Sequence, residues 1–298
     1  MSLASLPPQH PLALLADALG ANDGGAKLRG LLDREWAERF GRPDLIGFNR
    51  LLVDLGMRGL GILNYQDDAI NGLEWFLKAW AVNAGAPAPT VVDVGGNEGD
   101  FVQVVLRARP DARLFSYEPA PRSFAKLQEV AAGRQNVTIR NIALGDQPGR
   151  LPLYDYDPSC NEKSTAHASL FPEVFSVHWK KPVTAVEVEI RTLDTVCAEE
   201  GIEHIDLLKI DTEGAELKVL QGAARLIAEN RIKVVHFEFN RMNVIARSFF
   251  QDFAALLPRH SFGRLLPQGI LALDPGDLFS TNFFEFQNLV ALPKEPAA

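Results

Sequence analysis

The junction between a short apolar run and a helix spans residues 90–100 and reads TVVDVGGNEGD, and this stretch decides the fold. Apolar, mostly β-branched residues fill its first half, which predicts a buried strand, and glycines stand at 95, 96 and 99. Glycine lets a ligand approach the backbone, and the N-terminus of the following helix offers unpaired N–H groups. The stretch therefore predicts the ligand-binding first turn of an α/β sheet.

Strand-like and helical patterns alternate on the C-terminal side of this junction. After the first strand, Thr90–Val94, the predicted strands are Leu114–Glu118, Val137–Ala143, Ile205–Ile210 and Ile232–Phe239, with helical spacing near 100–108, 121–132, 214–228 and 246–257. Two more strands are predicted at about Ser261–Leu266 and Asn282–Leu292, with a short extension at Ile270–Leu273. The alternation predicts a mostly parallel sheet covered by helices on both faces.

The residues before the junction show helical spacing from Pro11 to about Asn83, and a Pro- and Gly-containing stretch follows at 85–89. We therefore predict an N-terminal helical extension or cap over residues 1–88 and a sheet domain over residues 89–298. An insert at about 151–196 contains strand candidates at Leu151–Tyr156 and Val186–Ile190. Its polar stretch Cys160–Trp179, with His167 and His178, is predicted to form a lid that carries substrate contacts.

The charge and composition of the chain limit the kinds of partner that we expect it to bind. The chain of 298 residues has 30 basic and 38 acidic side chains, a formal charge of −8, which repels phosphate backbones, so we expect no nucleic acid partner. Cys160 and Cys197 are expected to be free thiols. Because no signal-like segment and no run of ~18 apolar residues is found, we predict a cytoplasmic protein without membrane insertion. A homo-oligomer stays open.

The glycine spacing separates two cofactor classes. A dinucleotide fingerprint needs Gly-x-Gly-x-x-Gly, but Asn97 stands where the second glycine of that pattern, counted from Gly95, belongs. The spacing Asp93-x-Gly95-x-x-x-Gly99 is instead used for S-adenosylmethionine. We predict that Asp93, Gly95, Gly96, Asn97 and Gly99 bind this cofactor. An NAD-dependent oxidoreductase is the alternative.

Two further strand ends complete the predicted cofactor site. Glu118 ends the second strand, where an acidic side chain accepts hydrogen bonds from both ribose hydroxyls, and Pro119 follows it. The third strand leads into a turn where an adenine ring would lie, and Asn141, Ala143 and Leu144 are its candidate contacts.

Charged side chains at the ends of the fourth and fifth strands predict the reactive end of the site. Asp211 and Glu213 follow the fourth strand, and alternation places His236, Glu238 and Asn240 on one face of the fifth. Asp211, Glu238 and Glu213 are the candidate catalytic residues, and His167, His236 and Asn240 are candidate substrate contacts. Either a carboxylate acts as general base, or Asp211, Glu238 and Asn240 hold Mg²⁺.

Taken together, these stretches resemble the FkbM-type methyltransferases over roughly residues 59–292. The matching segments are Val91–Gly99, Tyr117–Pro119, Asn141–Gly145 and, most specifically, Lys209–Glu216 followed by Val219–Ala223. The segment Gly61–Tyr65 looks like the part of the family that closes over the cofactor, which adds Asn64 and Tyr65 to the candidate cofactor contacts.

The resemblance implies a class I methyltransferase, Rossmann-like fold: a seven-stranded, mostly parallel sheet with helices on both faces and the last strand antiparallel beside the fifth. It implies S-adenosylmethionine-dependent O-methylation by in-line displacement, with a hydroxyl of a sugar, glycan or natural product as acceptor. A non-catalytic, cofactor-binding partner subunit is a further alternative. Methylation of RNA or protein is disfavoured by the acidic balance.

Overall fold

The computed structural model describes residues 33–34, 36–85, 87–157, 168–180 and 182–294. The chain divides into two compact units, Met1–Met57 and Arg58–Ala298. In the first unit, Trp36 stacks on Phe40 with ring centroids 4.4 Å apart, and its indole N–H donates to Asn49. Among the residues described, no helix is both long and apolar enough to cross a membrane.

The elements follow one another in the alternating order that the sequence predicts. The helices are α1 (Ile46–Gly59), α2 (Leu73–Asn83), α3 (Asp100–Ala108), α4 (Pro121–Ala131), α5 (Leu193–Glu199), α6 (Glu216–Gln221), α7 (Ala224–Ala228), α8 (Met242–Ala246), α9 (Phe250–Leu256) and α10 (Leu278–Thr281). The strands are β1 (Thr90–Val94), β2 (Arg113–Tyr117), β3 (Val137–Arg140), β4 (Ala143–Leu144), β5 (Gly149–Tyr156), β6 (Val183–Arg191), β7 (Leu207–Ile210), β8 (Val235–Phe239), β9 (His260–Leu266), β10 (Gly269–Leu273) and β11 (Gln287–Pro293). A 3₁₀ turn covers Pro43–Leu45, and a π-helix covers Val174–Trp179.

The main sheet has the strand order β10-β9-β11-β8-β7-β1-β2-β3. In this order, the five adjacent strands β8, β7, β1, β2 and β3 are parallel, and β11 is antiparallel to β8. This confirms the predicted mostly parallel sheet with its last strand antiparallel beside the fifth. The sheet has eight strands rather than the predicted seven. The extra strand is β10, which turns back from β9 as an antiparallel hairpin at the edge.

Helices cover both faces of the sheet, as predicted. On one face, α2 and α3 bury Phe76, Trp80 and Phe101 with Val91 of β1. On the other face, helices that follow β6, β7 and β8 pack against Val92, Val94 and Phe237. Every residue of β1 is buried, so this strand lies at the centre of the layered core. Burial on both faces explains why its sequence is apolar apart from Thr90 and one aspartate.

The boundary between units differs from the sequence prediction at residue 88. The unit with the sheet starts at Arg58, because α2 packs its apolar side chains Phe76, Leu77 and Trp80 directly on the sheet. Apolar residues spaced three and four apart identify a helix here, but the spacing does not tell which unit the helix packs against.

The predicted insert forms a sheet of its own. β5 and β6 pair antiparallel, and β4 joins β6 in parallel, so the order is β4-β6-β5. The strand predicted at Val137–Ala143 is therefore wrong in its second half. It ends at Arg140, and Ala143 pairs with Ile190 in the smaller sheet. This pairing places the insert beside the end of the main sheet at which the parallel strands finish.

Three elements are shorter than the sequence predicts. The helix expected over 214–228 breaks at Gly222, where a Cβ would lie 2.0 Å from the carbonyl oxygen of Gly145. The helix expected over 246–257 breaks at Arg247, whose φ of 55° is left-handed. The strand expected from Asn282 begins at Gln287. In the two helices, a local turn interrupts an apolar pattern that continues through it.

Candidate active site

Two cavities open at the carboxyl ends of the parallel strands, and both are lined by Gly95, Asn97 and Asp211. The first cavity also reaches Glu118, Ala143, Leu144 and Thr212. The second also reaches Asp68, Asn71, Lys209, His236, Glu238 and Asn288. The predicted cofactor residues therefore gather mainly at the first cavity, and the predicted reactive residues at the second.

The loop after β1 is held in a tight turn between two neighbouring strands. The N–H groups of Gly95 and Gly96 both donate to the carbonyl of Tyr117, at 2.9 and 3.1 Å. Gly95 has φ of +85°, and a Cβ at this position would lie 1.8 Å from the carbonyl oxygen of Asp211. Only glycine fits here, because the backbone of β7 passes directly beside the loop. Gly99, with φ of +92°, precedes the first residue of α3.

Glu118 ends β2 with its carboxylate beside this loop. It is 5% exposed, and its two oxygens accept the N–H groups of Asn97 at 2.8 Å and Ala120 at 2.7 Å. Burial raises the pKa of Glu118 to about 7, although the two N–H donors oppose the rise. The fixed carboxyl group of Glu118, the predicted ribose contact, lines the first cavity.

The predicted adenine contacts divide into lining and supporting residues. Pro119, Ala143 and Leu144 line the first cavity. Asn141 instead donates its side-chain amide to the carbonyls of Glu118 and Pro119, at 2.8 and 3.0 Å. Asn141 therefore holds the turn after β2, and the apolar residues provide the surface that a flat ring would contact.

Asp93, predicted as a cofactor contact, lies behind the loop. Its side chain is fully buried, accepts the hydroxyl of Ser116 at 2.8 Å, and lies 3.2 Å from the ammonium group of Lys209. Burial alone would lower the pKa of Lys209, but the attraction of Asp93, Asp211 and Glu238 outweighs it and raises the pKa. Sequence analysis gave Lys209 no role, although a lysine inside an apolar strand was a signal for one.

Asp211 and Glu238 lie at the second cavity, as predicted, but they differ in environment. The carboxylate of Asp211 is 3.3 Å from the ammonium group of Lys209. Glu238 has a long contact of 3.5 Å with the amide of Asn240. Removal from water, and then repulsion by Asp211 and Glu213, raises the pKa of Glu238 well above its ordinary value. Glu238 is therefore a carboxyl group that holds a proton more tightly than an ordinary glutamate does.

His236 lies on the same strand, two residues before Glu238. It is 2% exposed, and its Nε2 is 3.0 Å from the side-chain oxygen of Asn288 on β11. Burial lowers the pKa of His236 to about 4, so the imidazole is neutral at physiological pH. Asn288, which sequence analysis did not single out, orients the ring. This residue reaches the cavity only because β11 returns beside β8.

The predicted magnesium ligands do not fit a metal site. Lys209 already supplies a positive charge to Asp211, and the side-chain oxygen of Asn240 accepts the N–H of Met242 at 2.8 Å. In the part of the chain that is described, no group of three or more His, Cys, Asp or Glu side chains is arranged to hold a metal ion.

The segment before α2 reaches the site through other residues than those predicted. Asn64 donates to the carbonyl of Arg58, and Tyr65 is 63% exposed and packs edge-on against Phe286. Neither Asn64 nor Tyr65 is in the lining of the two cavities described. Asp68 and Asn71, which are hydrogen-bonded to each other, line the second cavity instead.

The loop after β7 places Glu213 at the first cavity rather than at the second. Glu213 has a left-handed φ of 51°, and its carbonyl accepts the hydroxyl of Ser169. Glu216 accepts the N–H groups of Thr212 and Gly214, and so fixes this loop.

The predicted substrate contact His167 and the predicted lid both belong to the insert. His167 lies outside the described residues. Of the predicted lid, Ala168 and Leu170 line the first cavity, and the backbone of His178 lies in the π-helix.

Comparison with known proteins identifies relatives of this chain. The family model described as "Methyltransferase FkbM domain" matches residues 93–263. This range includes Gly95, Asn97 and Asp211, the residues that line both cavities. The chain is 27% identical over 192 residues to the 2-O-methyltransferase NoeI of Sinorhizobium fredii, covering 62% of this chain and 77% of NoeI. It is 31% identical over 156 residues to the 31-O-demethyl-FK506 methyltransferase FkbM of Streptomyces tacrolimicus, covering 46% and 60%.

Among solved structures, a methyltransferase FkbM from Methylobacillus flagellatus aligns with 82% of this chain and 60% of its own length. The sequence identity is 13% and the TM-score is 0.42. The chain thus spans about three-fifths of the FkbM relative and of this structure, and a larger part of NoeI.

Proposed function

The chain belongs to the FkbM methyltransferase family, and from that premise we propose that it transfers a methyl group from S-adenosylmethionine to a hydroxyl group of a sugar, glycan or natural product. One observation carries the proposal. The two cavities share Gly95, Asn97 and Asp211, and one extends to Glu118 while the other extends to Glu238. A donor in the first cavity and an acceptor in the second would therefore meet at the shared residues.

The residues at the first cavity suit the parts of this donor. The carboxyl group of Glu118 is placed to accept ribose hydroxyls, and Ala143 and Leu144 offer an apolar surface for the adenine. The glycine turn brings the backbone close to the ligand, and acidic side chains nearby favour a ligand with cationic ammonium and sulfonium groups. When bound, the donor supplies an electrophilic methyl group.

At the second cavity, Glu238 is the proposed general base. A base must accept the proton of the acceptor hydroxyl, and Asp211 is the poorer candidate because the ammonium group of Lys209 holds it as an ion pair. Glu238 has a raised pKa, which brings its proton affinity closer to that needed near neutral pH. The neutral His236, oriented by Asn288, supplies a hydrogen-bonding group for the acceptor.

The acceptor class rests on the relatives and on the cavity. NoeI is named as a 2-O-methyltransferase, and FkbM is named as a methyltransferase of 31-O-demethyl-FK506. The second cavity carries carboxylate, amide and imidazole groups, which are hydrogen-bond partners for hydroxyls. A screen with S-adenosylmethionine against methyl glycosides and hydroxylated natural products, read out as release of S-adenosylhomocysteine, would identify the acceptor.

A thermal-melting experiment tests the choice of cofactor. S-adenosylhomocysteine at one hundred times its dissociation constant is expected to stabilise the fold by ~2.7 kcal/mol, a clear upward shift of the melting temperature. NAD is expected to leave the melt unchanged, because the dinucleotide glycine spacing is missing. A shift with NAD alone would overturn the donor assignment in favour of an oxidoreductase. Binding of S-adenosylhomocysteine with no turnover across the screen would favour a non-catalytic partner subunit.

Glu118→Gln is expected to weaken S-adenosylhomocysteine binding roughly tenfold or more, since hydrogen bonds to a charged group contribute about 1.5–3 kcal/mol. The wild-type affinity is expected to fall as the pH drops below about 7, because protonation of Glu118 removes an acceptor. Calorimetry across this pH range measures both effects. Glu98→Gln, in the same loop but paired with Lys126, is the matched control and should bind as the wild type does. An unchanged affinity in Glu118→Gln would remove Glu118 from the donor site.

Chelation tests the metal-free route. Because Lys209 pairs with Oδ2 of Asp211 and the N–H of Met242 donates to the side-chain oxygen of Asn240, methyl transfer is expected to be the same with EDTA and with added Mg²⁺. The initial rate is measured in both conditions with the acceptor from the screen. Loss of activity with EDTA that Mg²⁺ restores would contradict the conclusion that Asp211, Glu238 and Asn240 do not form a metal site.

A further inference from the structure

Buried polar side chains form a row across four adjacent strands of the main sheet. The register pairs Ser116 with Asp93, Asp93 with Lys209, and Lys209 with His236, so these side chains point to the same face. All four are at most 7% exposed. The next residues toward the carboxyl ends of the strands include Gly95, Asp211 and Glu238, which belong to the cavities. The row therefore adjoins the site, and two of its members, Lys209 and His236, line the second cavity.

Lys209 is the member of this row that also reaches the layer above. Its ammonium nitrogen lies 3.2 Å from Asp93 Oδ1, 3.3 Å from Asp211 Oδ2 and 3.2 Å from the carbonyl oxygen of Gly95. An ammonium group has three donors, and here three oxygen atoms surround it: one on β1, one in the loop after β1 and one in the loop after β7. Its charge also lies 5.3 Å from the centre of the Phe101 ring at the start of α3.

We infer that Lys209 is a positioning residue that fixes the glycine turn of the donor cavity relative to the Asp211 carboxylate of the acceptor cavity. The inference rests on the proposed function. An ion pair with Asp93 alone would neutralise a buried charge without reaching either cavity. The contacts with Gly95 and Asp211 go further, because they connect the turn that approaches the donor with the side chain that both cavities share.

The test separates this role from that of the buried ion pair. Lys209→Met alone would leave Asp93 buried without a positive partner, which is strongly destabilising. Asp93→Asn removes the ion pair but leaves Lys209 next to Gly95 and Asp211. Asp93→Asn/Lys209→Met removes the positioning contacts as well, without an unpaired charge at residue 93. Asp93→Asn/Lys209→Gln is a second form of the double variant, in which an amide fills the same space.

Calorimetry with S-adenosylhomocysteine is the first measurement. Asp93→Asn is expected to bind nearly as tightly as the wild type, whereas both double variants are expected to bind about tenfold more weakly or worse, the scale of a hydrogen bond to a charged group. In turnover, the double variants are also expected to raise the KM for S-adenosylmethionine and to lower kcat. Ser116→Ala, which removes a neighbour of Asp93 but none of the contacts of Lys209, is the control and should bind normally.

The outcomes distinguish this inference from the proposed function. If the double variants bind as Asp93→Asn does, Lys209 has only a structural role and the inference fails while the proposed function stands. If the wild type does not bind S-adenosylhomocysteine, the proposed function fails first, and the inference fails with it. Melting temperatures recorded for each variant show that any loss of affinity is measured on folded protein.

Discussion

Glu238→Gln is expected to lower the rate of methyl transfer by about 10²- to 10⁴-fold, the usual contribution of a general base. The amide has nearly the same shape as the carboxylate, but it cannot take the proton of the acceptor hydroxyl. Since Glu238 lies in the second cavity and outside the first, the affinity for S-adenosylhomocysteine should change little. The measurement is kcat with the acceptor from the screen, together with calorimetry of donor binding.

Glu285→Gln is the matched control for this variant. Glu285 forms an ion pair with Arg241 and is not in the lining of either cavity described, so turnover should stay close to that of the wild type. A Glu238→Gln protein that turns over at the wild-type rate would remove Glu238 from the role of base. A parallel loss of donor affinity would instead show that the side chain binds the donor.

The pH dependence of turnover follows from the environment of Glu238. Burial and repulsion by Asp211 raise the pKa of this carboxyl group, and only its ionised form accepts a proton. Activity is therefore expected to fall as the pH drops through this raised pKa. Asp211→Asn removes a negative neighbour and so lowers the pKa of Glu238, which should move the acid limb of the profile to lower pH.

The sequence predicted the parts of the site that follow directly from strand ends. A buried apolar run, followed by a glycine turn and a helix, identifies β1 and its loop, and an acidic residue at the end of the next strand identifies Glu118. Alternation along β8 placed His236 and Glu238 on one face, and the structure has them both at the second cavity. These predictions use only local periodicity and the rule that ligands bind at the carboxyl ends of parallel strands.

Residues that depend on strand order were not predicted. Lys209 contacts Asp93 because β7 lies beside β1, although more than one hundred residues separate the two positions along the chain. Asn288 meets His236 because β11 returns between β8 and β9. No local pattern contains this information. The family resemblance pointed to Asn64 and Tyr65 and did not extend to Asp68, because a motif marks a segment, while the backbone path decides which side chains line the cavity.

Gly95→Ala is expected to abolish measurable binding of S-adenosylhomocysteine. The added methyl group would lie 1.8 Å from the carbonyl oxygen of Asp211, and a backbone oxygen at the end of a central strand cannot move aside as a flexible side chain can. The left-handed φ of +85° adds about 1–2 kcal/mol of strain for a residue with a Cβ. Relief requires the turn to move away from β7, which breaks its contact with Lys209 and displaces the N–H groups of Gly95 and Gly96 from Tyr117.

Gly133→Ala separates the clash from the backbone strain. Gly133 has a similar φ of +74°, but nothing lies within 4 Å of its added methyl group, and it is not in the lining of either cavity described. Both variants should lose stability through strain, which thermal melting measures, and only Gly95→Ala should lose donor binding, which calorimetry measures. If Gly95→Ala binds S-adenosylhomocysteine as the wild type does, the close approach of β7 does not shape the donor site. If both variants lose binding equally, backbone strain and not the steric contact with Asp211 explains the requirement for glycine at residue 95.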